Sequence, residues 1–243
     1  CPSRCSYCSF VSHSIDHPKA KKLLPDYLNH LVQEIAFTAN LARETGLRLR
    51  SVYIGGGTPT SLTAEQLKQV TDAVREHFDP PADMEYTIEA GRADTITPEK
   101  LRVIREAGAN RISINPQTFE DSVLQAVGRR HTANQVVECY KLARGYGFEA
   151  INMDLIAGLP TDTPEGVRRS LDRAIRLGPE NITVHALSVK RAADLFAEMD
   201  GSEDYSAVQA MVDYTGKAMA EAGYLPYYLY RQKNTMGNLE NVG

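Results

Sequence analysis

Cys1-Pro2-Ser3-Arg4-Cys5-Ser6-Tyr7-Cys8 places three thiols at a C-x3-C-x2-C spacing. Cysteines this close in sequence can close on one inorganic centre without help from the rest of the chain. Thiolates are soft donors and the usual ligands of iron–sulfur clusters. A four-iron cube would take one cysteine at each of three corners and leave one iron open to another ligand. Tyr7 stands just before the third cysteine, where an aromatic ring could cover the cluster and exclude water. The same stretch admits a zinc site, because His13 and His17 follow at a His-x3-His spacing and could complete a tetrahedral set. A disulfide framework fits poorly, since four cysteines in 243 residues are too sparse for one.

Further candidates stand along the chain. Gly55-Gly56-Gly57-Thr58-Pro59 is a turn whose bare backbone a ligand could approach closely. Glu89, in Ile88-Glu89-Ala90-Gly91, is a carboxylate followed by small residues and could receive an ammonium or a ribose hydroxyl. Gln117 follows a short apolar run. Arg129, in Gly128-Arg129-Arg130-His131, could pair with a carboxylate or stand as a solvated helix-end charge. Asp154 lies in the apolar Ile151-Asn152-Met153-Asp154-Leu155-Ile156 run, which would bury it; a buried carboxylate needs a ligand or a cation beside it. Cys139 reads as a small apolar residue of a helix.

The elements that must position these groups alternate between helix and strand. Pro25 is read as opening a helix to about Glu44, with Leu28, Leu31, Val32 and Ile35 on one face and Gly46 at its end. Strands are predicted at 51–54, 84–90, 111–115, 149–156 and 181–187, and a last one at 224–230. Helices are predicted at 63–77, where Thr63 and Gln66 form a capping box, and at 98–108, 121–126, 133–145, 164–177 and 205–222. The charged stretch 188–204 reads as a long connection. Strict alternation implies a parallel α/β fold, either a barrel or an open doubly wound sheet. No G-x-G-x-x-G follows a first strand, which disfavours the dinucleotide-binding version. In a barrel the chemistry collects at the C-terminal ends of the strands, and the candidates fall there repeatedly, which weighs against zinc. Because Cys1 is already a candidate ligand, a strand is expected to precede this chain.

Composition bounds the rest. A hydrophobic content of 42% allows a sizeable core, and a formal charge of −4 gives no case for a nucleic-acid partner. No apolar run approaches a membrane span and no signal peptide is visible. An oxygen-sensitive centre needs a reducing interior, so a cytoplasmic location is expected.

C-x3-C-x-aromatic-C resembles the signature of the radical S-adenosylmethionine enzymes. That resemblance implies a 4Fe-4S cluster on Cys1, Cys5 and Cys8. S-adenosyl-L-methionine would chelate the open iron, and an electron from the cluster would cleave it to a 5′-deoxyadenosyl radical. The order of Cys-x3-Cys-x2-Cys, Gly-Gly-Gly-Thr-Pro-Thr, the Glu89 and Gln117 segments, Gly-Arg-Arg-His-Thr and Asp-Leu-Ile-x-Gly-Leu-Pro is similar to that of the oxygen-independent coproporphyrinogen III oxidases, from Cys1 to about Leu187. It implies that Gly56, Gly57, Thr58, Glu89, Gln117, Arg129, Asp154 and Ser188 bind S-adenosylmethionine. It also implies an incomplete (β/α)6 barrel, with a core over 1–190 and a C-terminal extension over 191–243.

The segment from Pro226 to Asn241 resembles the coproporphyrinogen dehydrogenase branch. There the expected reaction is oxidative decarboxylation of two propionates of coproporphyrinogen III to vinyl groups, with a flavodoxin or ferredoxin as electron donor. The tyrosines around Tyr227 would then form an aromatic wall, with Arg231 and Lys233 ready for propionates. A similar ending occurs in the branch that opens haem by radical methyl transfer. The haem-chaperone branch carries His-Asn-x-x-Tyr-Trp nearby, whereas this chain has no tryptophan.

Overall fold

A computed structural model describes residues 1–8, 10, 14–197, 205–227, 229–230 and 241–242. Five parallel strands run in chain order across one sheet: β1 (Ser51–Ile54), β2 (Glu85–Glu89), β3 (Arg111–Ser113), β4 (Ala150–Ala157) and β5 (Asn181–Ala186). Parallel neighbours need a crossover, and helices supply it: α1 (Pro18–Glu44) precedes β1, and α2 (Ala64–Phe78), α3 (Pro98–Glu106), α4 (Asp121–Ala126), α5 (Ala133–Gly145) and α6 (Pro164–Leu177) lie between strands. After α7 (Tyr205–Glu221), two short antiparallel strands, β6 (Leu229–Tyr230) and β7 (Asn241–Val242), extend the sheet, with β7 beside β5. The result is an open α/β sheet, part of a (β/α) barrel.

Register explains which face does what. Ile54, Ile88, Ile112 and Ile151 stand side by side on neighbouring strands. The last three are buried in the core with the apolar sides of α2, α3, α5 and α6. One residue further along, Glu89, Ser113, Asn152 and Asn181 also align, and their side chains line the opposite face. Fully covered parallel strands are normally apolar on both sides. Here the inner face is polar because it walls a cavity of about 690 Å³. Asp154 is on this face: Met153 and Leu155 point into the core, whereas the Asp154 carboxyl is shielded in the wall of the cavity rather than packed in the core.

Four helices start with a threonine cap. Thr63, Thr97, Thr132 and Thr163 each accept a backbone N–H from the first turn of α2, α3, α5 and α6. Gln66 and Gln135 complete capping boxes, and Pro98 and Pro164 occupy first helical positions, where the absent N–H costs nothing. The start of α1 differs from expectation. His17 caps it through Nδ1, which accepts Lys19 N–H at 3.2 Å, and Pro18 takes the first position. Pro25 lies inside on an exposed flank, where water can serve the carbonyl it leaves without a partner. The predicted strand 224–230 is also corrected. Among its described residues only Leu229–Tyr230 pairs, and the Tyr224 hydroxyl instead donates to Pro179 O at 2.8 Å. Arg231 and Lys233 lie outside the described residues, as do residues 198–204 of the predicted connection.

Candidate active site

The cysteine loop is fastened to the C-terminal side of the sheet by its backbone. Ser6 N donates to Val127 O at 3.2 Å, and Leu195 N donates to Ser6 O at 2.9 Å. Ser3 Oγ donates to Gly128 O at 2.9 Å, and Arg4 reaches Ala192 O and the Asp194 carboxylate at 3.1 and 3.0 Å. Gly128 has φ +77°, and a Cβ there would lie 3.0 Å from Arg4 O. Only glycine lets the end of α4 come this close to the loop.

The second loop follows β1. Gly56 has φ +112°, and a Cβ on Gly55 would come within 2.7 Å of the Tyr53 ring and 3.2 Å of the Glu89 carboxyl. The glycine run is therefore required by its own turn and by close packing on Glu89. Thr58 Oγ1 lies 3.3 Å from Cys1 Sγ, which joins the two loops.

Together they border one cavity of about 480 Å³. Cys1, Cys5, Cys8, Gly56, Gly57, Thr58, Glu89, Gln117, Arg129 and Asp154 all line it, with Tyr7 over one side. Ser188 stands apart from that group. It lines an adjoining cavity of about 260 Å³, which shares Tyr7, Cys8, Gln117 and Asp154 with the first. Gln117 reaches its place through an irregular stretch. β3 ends at Ser113, Gln117 takes φ +68°, and it then bridges back to Leu155 of β4.

The electrostatics of the cavity are those of a shielded polar site. Burial pushes the Glu89 carboxyl up, and Asp154 adds to this, against the hydroxyl of Tyr53, which donates to Glu89 Oε1. Burial likewise raises Asp154, opposed by His185, whose Nε2 lies 3.9 Å away, and by Asn152 Nδ2, which donates at 2.7 Å. The titratable group beside Asp154 is thus the His185 imidazole, whose own pKa burial lowers. Burial pushes the Tyr7 phenol up to about 12. Arg129 turns inward and donates to Asn115 O at 2.8 Å and to Gly91 O at 3.3 Å, so the solvated helix-end alternative is set aside. Its Nε and the Asn115 Oδ1 are buried without a hydrogen-bond partner. Buried polar atoms are normally paired, so two orphans in one cavity wall fit a polar ligand.

The donor set fits a cluster better than a single ion. Zinc holds thiolate and imidazole ligands within about 2.3 Å of one point. Among the described residues no three His, Cys, Asp or Glu side chains are so grouped, and His17 is engaged as a helix cap. All four cysteines are free thiols, and Cys139 lies away from this cavity, with its thiol pushed up to about 11 by burial. A cube takes one thiolate per corner and spreads its ligands wider.

The sequence model of the radical SAM superfamily matches residues 1–174. The chain belongs to this superfamily. Within it, the relatives are those of the oxygen-independent coproporphyrinogen III oxidase-like family, and a 4Fe-4S cluster and S-adenosylmethionine are the cofactors of the superfamily. The oxygen-independent coproporphyrinogen-III oxidase-like protein HemZ of Bacillus subtilis is 43% identical over 249 residues, covering 100% of this chain and 49% of that protein. The heme chaperone HemW of the same organism is 38% identical over 191 residues, 78% of this chain and 48% of HemW. The structure of coproporphyrinogen III oxidase (HemN) from Escherichia coli superposes with a TM-score of 0.82 at 28% identity, over 93% of this chain and 51% of HemN. The chain thus spans about half the length of these relatives.

Arg92, Asp94, Asn115 and His185 border or back the site and were not singled out from sequence. Arg92 and Asp94 follow Glu89 by three and five residues. A charged pair just past a strand end among small residues is the signal that could have found them. His185 alternates with buried Val184 and Ala186 on β5, and this places it on the inner face.

Proposed function

We propose that Cys1, Cys5 and Cys8 hold the 4Fe-4S cluster, and that Gly56, Gly57, Thr58, Glu89, Gln117, Arg129 and Asp154 bind S-adenosylmethionine, with Ser188 at the far end. The observation that carries this reading is the single cavity lined together by three free cysteines, the glycine loop and Arg129. When bound, the two cofactors supply one-electron cleavage of a carbon–sulfur bond and hence a carbon radical able to take hydrogen from an unactivated position. The chain's own residues bind, orient and exclude water. Arg129 offers its charge to a carboxylate, Glu89 offers an acceptor to an ammonium, and Asp154 offers one to hydroxyls. Tyr7 closes the side towards solvent.

The proposed reaction is oxidative decarboxylation of two propionates of coproporphyrinogen III to vinyl groups, with electrons from a flavodoxin or ferredoxin, in a reducing cytoplasm. The core would be 1–190 and the extension 191–243. The likeness, along the whole of this chain, to about half of a coproporphyrinogen-III oxidase-like protein supports it. A second reading, haem carriage, is favoured by the likeness to HemW. Mass spectrometry of the tetrapyrrole separates them. Protein with its cluster rebuilt without oxygen would receive S-adenosylmethionine, a reductant and either coproporphyrinogen III or haem. Loss of two carbon dioxide units from the first supports the oxidase. A methylated, ring-opened product from haem favours haem degradation, and tight haem binding without turnover favours the carrier.

A further inference from the structure

Arg92 is the largest fully buried side chain among the described residues, at 2% exposure. A guanidinium taken out of water is costly unless its charge and its donors are met. Asp94 meets part of this demand, accepting from Nε at 3.2 Å and from Nη2 at 3.5 Å. Nη2 also donates to Ser3 Oγ at 2.8 Å. Nη1 points the other way and donates to Cys5 Sγ at 3.4 Å. The side chain thus spans from the end of β2 to the most deeply buried of the three cysteines. Its backbone is fixed as well: Thr95 N and Oγ1 both donate to Arg92 O, at 3.0 and 2.7 Å. His131 backs the pair, with Nδ1 3.9 Å from Asp94 Oδ1.

The arrangement is a fixed dipole. Its positive end touches the cysteine sulfur and its negative end lies behind. Hydrogen bonds to the sulfurs and local charge are two of the levers that set the potential of an iron–sulfur cluster. We propose that Arg92 raises the reduction potential of the cluster held through Cys5, so that a weak biological donor can reduce it. The hydrogen bond and the positive charge draw electron density from the sulfur and favour the state with one more electron. Arg92 acts through Cys5 and is a positioning residue. This rests on the assignment of the cluster to Cys1, Cys5 and Cys8.

The test is the midpoint potential of the reconstituted protein, followed by the electron paramagnetic resonance signal of the reduced cluster. Iron and sulfide content are measured on the same samples. Arg92→Gln is expected to shift the midpoint to more negative values at unchanged iron content. Arg92→Lys, which keeps the charge, is expected to shift it less. Ser3→Ala, which cuts the loop contact but keeps the charge beside Cys5, should leave it in place. Full iron content with an unmoved midpoint in Arg92→Gln overturns the proposal and leaves the cluster assignment standing. Absence of any cluster signal in the parent protein overturns the cluster assignment itself. If Arg92→Gln holds no iron, Asp94→Asn decides: removing the negative end must move the midpoint upward, and an unmoved or lowered midpoint contradicts the proposal.

Discussion

Arg129 and Glu89 make the clearest demands at the scale of single residues. Arg129 carries its charge into a shielded wall and leaves Nε without a partner. Charge-assisted hydrogen bonds are worth about 1.5–3 kcal/mol, roughly ten- to a hundredfold in binding. Arg129→Met is expected to weaken S-adenosylmethionine binding by about that factor in the cluster-loaded protein, measured by titration calorimetry; an unchanged Kd would remove Arg129 from the binding set. Glu89 acts on stability. Its folded pKa is raised by burial, so the native state binds more protons than the unfolded chain between the ordinary and the raised value. Stability is therefore lost as pH rises through that window and stays lower above it. Glu89→Gln should melt at a higher temperature than the parent at neutral pH, and the advantage should vanish below the ordinary carboxylate range. A variant that melts lower at pH 7 would mean that the Tyr53 bond outweighs desolvation.

Helices and loops set how firmly the site is held. Thr132 closes a capping box on α5, and such caps contribute about 1 kcal/mol. Thr132→Ala should lower unfolding free energy by about that amount in urea without changing the cluster signal. Gly128→Ala should do the reverse. The helices keep their own cores, but a Cβ 3.0 Å from Arg4 O at φ +77° pushes the cysteine loop off α4. Iron content should fall severalfold while the far-ultraviolet circular dichroism stays as it was; normal iron content would show that the loop does not depend on this contact. At this scale the sequence was informative. Thr63 with Gln66, the 121–126, 133–145 and 164–177 helices and the glycine at 46 were all visible, because capping chemistry and turn residues are local. The start of α1 was not, because a proline on a solvated flank costs less than the pattern assumes and His17 is an unusual cap.

Across the whole molecule, the sheet separates a packed face from a chemical one. Ile88 and Thr87 are neighbours on β2 and point opposite ways: Ile88 into the core and Thr87 into the large inner cavity. Ile88→Ala should cost about 2–5 kcal/mol in urea unfolding, and Thr87→Ala about 1 kcal/mol or less. Equal costs would mean that the inner face is packed like the outer one. This division explains what could be read from sequence and what could not. The parallel α/β class and the cysteine loop follow from alternation and spacing. Arg92, Asn115 and His185 gain their meaning from elements far apart in the chain, as when Arg92 meets Ser3 and Cys5 across almost ninety residues. The pairing of β5 with β7 is equally non-local.

The measurement that bears most directly on the account is anaerobic cleavage of S-adenosylmethionine. The protein with its cluster rebuilt would be given S-adenosylmethionine and a strong reductant, and 5′-deoxyadenosine and methionine would be counted. Cys5→Ala would be run beside it. The expected result is both products from the parent protein and none above background from the variant. Cleavage at the parent rate by Cys5→Ala, or a parent protein that carries its full cluster and cleaves nothing, would contradict it.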